Sequence, residues 1–357
     1  ITTSIAKMKN PKRLGKIMIT IICVFVVTSL IAVLVGFAST YFVKLVDTED
    51  GEKIKASLEE TETSDEEEEE LTIADRTVQL LTVNDFNKLL TKDNIIAILV
   101  ASIICGIAIR MSGEKGKDVL NLLISANEVV QNIVKIIMYY APIGLGCYFA
   151  SFTGTFGASV TQGFVKMLVI YTILVLFVYF VIYSLYAYMA AGKIGVKKYW
   201  ANIIPASVTA LSTCSSAASI PVNTECAKKI GVSEDIASPT ITLGTSFHKD
   251  GSIIGSVFKI MFLVYLFDMP VSGIKVLGVS LLATILVTAV PIGGGTISEM
   301  LILKLMGFPV AALPILTIIA TIIDAPATLL NVTGDCASSM LVSRMVDGKD
   351  SLKKELE

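Results

Sequence analysis

Long apolar runs separated by short polar clusters set the layout of this chain. A membrane-spanning helix needs about 20 mostly apolar residues. The first such run is 17–44, "IMITIICVFVVTSLIAVLVGFASTYFVK". Further spans are predicted near 93–111, 122–152 and 162–190, the third bent at Pro142 in "MYYAPIGLG". Lys and Arg mark cytoplasmic ends. They cluster before the first span ("KMKNPKRLGK"), after the second ("RMSGEKGK"), after the fourth ("GKIGVKKYW") and at the C-terminal end ("KDSLKKELE"). The stretch 47–77 holds "DEEEEE" and reads as a solvated acidic loop outside the membrane.

Beyond residue 200 the pattern changes. Residues 201–231, "ANIIPASVTALSTCSSAASIPVNTECAKKIG", place a serine-rich centre between two short, mildly apolar arms. That is the pattern of a re-entrant helical hairpin, whose tip must be covered by protein or line a wet cavity. Residues 278–308 repeat it in hydropathy, not in sequence: an apolar arm, "VPIGGG", and a second arm ending at "MGFP". Paired interrupted segments point to a transporter's binding site. Between them a span is predicted over 236–268, and a last one over 311–346.

These two spans carry ionisable groups at membrane depth: Lys249 and Asp250 in "TLGTSFHKDGSIIG", and Asp324 and Asp335 in "DAPATLLNVTGD". Each costs about 2.5–3.5 kcal/mol at mid-bilayer, so all four unpaired would cost on the order of 10 kcal/mol. They must pair with one another, with ions or with substrate. Asp324, Thr328, Asn331 and Asp335 recur at helical spacing and form one polar stripe on an apolar helix.

Composition agrees with an all-α integral membrane protein: 54% of residues are hydrophobic and 17% charged, where a soluble domain carries about 25% charged. A net charge of −2 gives no case for nucleic-acid binding. The six cysteines have no metal-ligand spacing and His248 is the only histidine, which argues against zinc and against a disulfide framework. The opening "ITTSIAKMKNPKRLGK" is too basic for a cleaved leader and reads as a loop.

Four motifs in order resemble the dicarboxylate/amino-acid:cation symporters, the family of glutamate and neutral amino-acid transporters. "CSSAASIP" resembles the tip of its first hairpin, and "TLGTSFHKDGS" its unwound seventh helix, usually "LGATINMDGT". "VPIGGG" resembles the second hairpin tip, and "DAPATLLNVTGD" the eighth-helix motif "D-x-x-R-T-x-x-N-V-x-G-D". The resemblance aligns the chain's opening with the family's third helix, with the first two family helices outside this sequence. It implies a homotrimer in the cell membrane. A multi-pass transport domain (11–46 and 160–346) would move as an elevator against scaffold helices (78–157), with 47–77 as the extracellular loop and 347–357 as a cytoplasmic tail.

The resemblance also implies site residues. Asp324 would hold the α-amino group of an amino-acid substrate. Asn331 and the tip around Ser215 and Ser216 would hold its α-carboxylate, with Pro291, Gly293 and Thr328 completing the pocket. The family arginine that binds an acidic side chain is Ala327 here, and the arginine some members carry at the first tip is Cys214. A neutral amino acid is therefore the expected substrate. Sodium ligands in the family would fall on Gly244, His248, Asn331 and Asp335 at one site. At another they would fall on Thr28, Ser29 and Asp250, where a common family tyrosine is Phe25.

Two departures lie in that region: His248 stands where the family usually has Asn, and Lys249 where it has Met. A lysine there places a covalent cation among the sodium ligands. We expect Lys249 to replace a sodium ion, leaving transport sodium-independent and open to proton coupling, because like charges at 4 Å repel by about 4 kcal/mol at an effective dielectric near 20. A sodium-coupled neutral amino-acid or dicarboxylate symporter is the alternative. No cofactor is expected, and sodium is disfavoured by Lys249. An intramembrane aspartyl protease is the enzyme reading. Asp324 and Asp335, however, lie about 16 Å apart along one helix, too far to share a proton, so no enzyme is expected. Saturable exchange would separate a carrier from a channel.

Overall fold

The computed structural model describes residues 12–41, 111–138, 164–270, 272–287 and 294–348, with isolated positions at 43, 45 and between 101 and 154. The acidic loop, most of the span expected at 93–111, the bend at Pro142, the second tip with Pro291 and Gly293, and the tail beyond 348 lie outside the described residues.

All regular structure among the described residues is helical. Helix α1 is Lys12–Tyr41, α2 is Lys117–Met138 and α3 is Phe164–Asn202. The first pair of short helices is α4, Ile204–Thr213, and α5, Ser216–Ile230. Then come α6, Glu234–Phe247, and α7, Asp250–Leu266. The second pair is α8, Gly273–Val287, and α9, Gly294–Met306, followed by α10, Leu313–Asp347.

Three of the described helices are long and apolar enough to cross a membrane: Gly15–Tyr41, Phe164–Asn202 and Val310–Asp347. On α1, Ile19, Ile22, Val26 and Leu34 point outward, and on α3 so do Val165, Val169, Ile173 and Phe180. Those spacings of three, four, seven and eight place each set on one helical face. An exposed apolar stripe of that length is the face a helix offers to lipid. Helix α3 runs 12 residues past the expected end at 190. It accommodates this with a π turn at Val178–Ile182 and a kink at Ala191 and Gly192, where Gly192 takes φ +67°.

Helix α10 is the hub. It packs against α1, α3, α4, α5, α6, α7 and α9. Every residue from 327 to 340 is buried, so this segment is enclosed on all sides although it carries Thr328, Asn331, Thr333 and Asp335. Polar groups enclosed in that way need partners inside the protein: Asn331, Thr333 and Asp335 have them, whereas Ser338 Oγ has none among the described residues.

The two interrupted regions form two helical hairpins. α4 packs on α5, and α8 on α9. Ten and fifteen residues reach about 15 and 22 Å, short of the ~30 Å hydrocarbon core. The first turn is made by two residues only. Cys214 is left-handed, at φ 48° and ψ 31°. Ser215 is extended and its Oγ accepts the Ala218 N–H at 3.2 Å, capping α5. The buried side of α5 carries Asn223, whose Nδ2 donates to Val332 O at 2.7 Å and ties the hairpin to α10.

The span expected over 236–268 is two helices, not one. α6 stops at Phe247, and His248 and Lys249 are both non-helical. The break leaves the first amides of α7 without intrahelical acceptors. Asn331 on α10 supplies one: its Oδ1 accepts the N–H of Gly251 at 3.0 Å and of Ser252 at 3.2 Å.

Candidate functional site

The break between α6 and α7 delivers His248 to the centre of the molecule, where it is fully buried. Its ring stacks on Phe25 of α1, with centroids 4.4 Å apart and planes 12° from parallel. Nδ1 lies 2.8 Å from Asp335 Oδ1 on α10. Nε2 lies 2.8 Å from Thr28 Oγ1 on α1 and 3.1 Å from Asp250 Oδ1 at the start of α7. One imidazole thus touches three helices and stands between two buried carboxylates.

Close packing fixes each carboxylate. Gly244 is one turn before the break, and a β-carbon there would overlap the Asp335 carboxylate. Asp250 Oδ2 is 3.2 Å from the Tyr183 hydroxyl of α3, which also donates to Leu330 O at 2.9 Å. Gly334 leaves room for that tyrosine, since a β-carbon at 334 would stand 2.5 Å from its hydroxyl oxygen. Gly251 sits against the backbone of Ala327, and Tyr171 donates to Gly251 O at 2.9 Å.

Of the residues the sequence singles out, Thr28, Gly244, His248, Asp250, Asn331 and Asp335 converge here. Ser29 is buried next to Thr28 on α1. Asn331 does more than line a pocket: Oδ1 holds the start of α7, and Nδ2 donates to Ser252 Oγ at 3.0 Å.

Lys249 is placed differently from its expected position. The group between Asp250 and Asp335 is the imidazole of His248. Lys249 forms no hydrogen bond or ion pair with any described residue, although Asp324 and Asp335 both lie within its electrostatic reach. The helix break separates the two neighbours: residue 248 turns into the core and residue 249 faces a half-open side.

Asp324 is at the outer end of the polar stripe. It is exposed, whereas Asp335, three turns deeper, is 1% exposed. It forms no hydrogen bond or ion pair with a described residue, and it lies within electrostatic range of Cys214 at the first tip and of Lys249. Ser215 and Ser216 at that tip are half-buried. Ala327 and Thr328 follow Asp324 inward and are buried.

A second polar cluster escapes the sequence reading. Lys259 on α7 pairs with Glu299 on α9 at 3.1 Å, and Thr317 on α10 donates to Glu299 Oε2 at 2.7 Å. Both charged side chains are at most 8% exposed. A lone Lys in "SVFKIMFLVYL" and a lone Glu in "TISEMLILK" are the signal: each is a charge in an apolar arm that requires a partner.

Helices apolar on the outside enclose a charged centre beside a broken helix and two hairpins, an arrangement of the kind used by membrane transport proteins. The comparisons identify which kind. The model of the sodium:dicarboxylate symporter family matches residues 1–345. The chain belongs to that family.

Named relatives are distant. The proton/sodium-glutamate symport protein of Bacillus subtilis is 24% identical over 95% of this chain and 79% of its own length. The L-cystine uptake protein of Bacillus thuringiensis is 26% identical over 98% and 78%. Mouse excitatory amino acid transporter 2 is 24% identical over 74% and 48%, so the chain spans about half the length of that relative. These relatives are transporters, not enzymes.

Sodium is the ion the family name implies, and the donor set does not fit it. Hard cations are held by cages of oxygen atoms. Here the space between Asp250 and Asp335 is filled by an imidazole, the face above it is the ring of Phe25, and the Thr28 oxygen is in contact with Nε2.

Proposed function

We propose that the chain is the working part of a secondary active transporter for a neutral amino acid, operating without bound sodium. Asp324 carries the proposal. It is an exposed carboxylate at the mouth of a buried polar stripe, and no described residue neutralises it. A substrate ammonium group supplies the missing charge. The N-terminal end of α5, at the Ser215–Ser216 tip, offers a helix N-terminus to the substrate's α-carboxylate, with Thr328 and the remaining Asn331 N–H below. Ala327 leaves no cation for a second carboxylate, which disfavours glutamate and aspartate.

Alternating access follows an elevator scheme. α1 and α3–α9 pack with the α10 hub and move as a body, with both hairpins re-entrant and with Pro291 and Gly293 among the substrate-binding residues. The helices of 78–157 act as scaffold within a homotrimer in the cell membrane. Lys249 completes the charge balance of the buried centre, where its ammonium lies within electrostatic reach of Asp335.

Competition tests the substrate class. With the protein in proteoliposomes, uptake of a labelled neutral L-amino acid is expected to be blocked by other neutral L-amino acids and spared by aspartate, glutamate and succinate. Block by aspartate or succinate would move the protein to the acidic-substrate reading, a sodium-coupled dicarboxylate or glutamate symporter.

A further inference from the structure

We infer that His248 is itself the resident cation of the buried site, holding Asp250 and Asp335 together in the place where the family resemblance implies a sodium ion. Hydrogen-bond bookkeeping supports this. An ionised carboxylate only accepts, so the 2.8 Å bond to Asp335 Oδ1 places a hydrogen on Nδ1. The Thr28 hydroxyl has its own hydrogen directed at backbone carbonyls, Val24 O at 2.9 Å and Phe25 O at 3.2 Å. Its oxygen is therefore the acceptor in the 2.8 Å contact with Nε2, which places the second hydrogen on Nε2. A ring with hydrogens on both nitrogens is an imidazolium.

Charge and space agree with this assignment. Asp250 Oδ1 is buried with no hydrogen-bond partner, yet Nε2 stands 3.1 Å away and compensates its charge. Two carboxylates facing one imidazolium leave one negative charge, and Lys249 stands within electrostatic reach to cancel it. Among the described residues, α1 and α3 bring only uncharged groups to this centre: α1 contributes Phe25 and Thr28, and α3 the hydroxyls of Tyr183 and Tyr186. The centre is balanced without an ion from solution. The stacked Phe25 ring fixes the imidazole plane from the α1 side, so the ring cannot swing toward α1 to open a cage.

The inference deepens the carrier reading and rests on it for its meaning in transport, but neither readout below needs a substrate. Failure of neutral amino-acid uptake would leave both intact. The full-length protein in lipid nanodiscs is heated in sodium chloride and in equal choline chloride. The wild-type midpoint is expected to be the same in both salts. H248N puts an amide oxygen where the ring was and is expected to gain a midpoint that rises with sodium and saturates. A saturable sodium-dependent rise in the wild type overturns the inference, and so does a folded H248N as indifferent as the wild type. Because H248N is exposed to misfolding, a second measurement uses the wild type alone. This chain has one histidine, so nitrogen-15 NMR of the ring-labelled protein reports one pair of nitrogens. Both are expected to carry hydrogen and to be unmoved by sodium. A bare ring nitrogen, or signals displaced by sodium, overturns it.

Discussion

Gly244 and Asp335 face each other so closely that a β-carbon at 244 would overlap the aspartate carboxylate. The absent side chain is what lets Asp335 reach His248. Gly244→Ala must therefore push the carboxylate away or distort α6. Overpacking of this kind costs about 1–3 kcal/mol, and loss of the His248 contact adds to it. The expected result is a lower thermal midpoint than that of Gly278→Ala, a control at a helical glycine whose added β-carbon meets nothing within 4 Å.

Lys259 and Glu299 join α7 to the second arm of the second hairpin. Removing one partner strands a charge in a low-dielectric setting, at about 3–5 kcal/mol, whereas replacing both with apolar residues is often neutral. Lys259→Met and Glu299→Leu should each destabilise strongly, and the double variant should recover most of the loss. The check is a double-mutant cycle by thermal or denaturant unfolding in nanodiscs. Additive single effects would mean that the pair is not coupled.

Both helical hairpins were legible, for physical reasons: arms too short to span and a serine-rich centre state where a helix cannot continue. The break after Phe247 was not legible in hydropathy, which reads 236–268 as one span; only the resemblance of "TLGTSFHKDGS" to the family's unwound seventh helix implied it. What was not legible is which neighbour turns inward at the break. Counting charge favours Lys249 as the group between Asp250 and Asp335. The backbone favours His248, because residue 248 is extended and buried whereas residue 249, at φ −136° and ψ 72°, is non-helical and half-buried. The imidazole is also short enough to be clasped between Phe25 and two carboxylates. The Lys259–Glu299 pair was missed because its partners are 40 residues apart, and no local spacing links them. The acidic stripe on α10 was legible by periodicity, but its gradient from exposed Asp324 to buried Asp335 depends on which helices cover it.

Asp324 is exposed and unpaired among the described residues, so removing its charge leaves the fold intact. Truncating one partner of a desolvated charge pair costs about 2–5 kcal/mol of binding, which is roughly 30-fold or more in affinity. Asp324→Asn should therefore keep the wild-type unfolding midpoint and lose substrate binding, read by competition against a labelled neutral amino acid. Undiminished binding would remove Asp324 from the site.

Ala327 lies one turn inside Asp324 on α10. Ala327→Arg brings a guanidinium that can pair bidentately with a second carboxylate. Uptake of the neutral substrate should fall, and aspartate should become a competitor where the wild type ignores it. The paired competition curves decide this. An arginine variant that gains no acidic competitor would place the substrate side chain elsewhere.

The central claim is that this carrier holds its cation covalently. The most direct test is initial uptake of a neutral amino acid into proteoliposomes under an imposed sodium gradient, a proton gradient, or neither. The account predicts equal rates and equal final levels when outside sodium is exchanged for choline. Accumulation above equilibrium driven by the sodium gradient alone would contradict it.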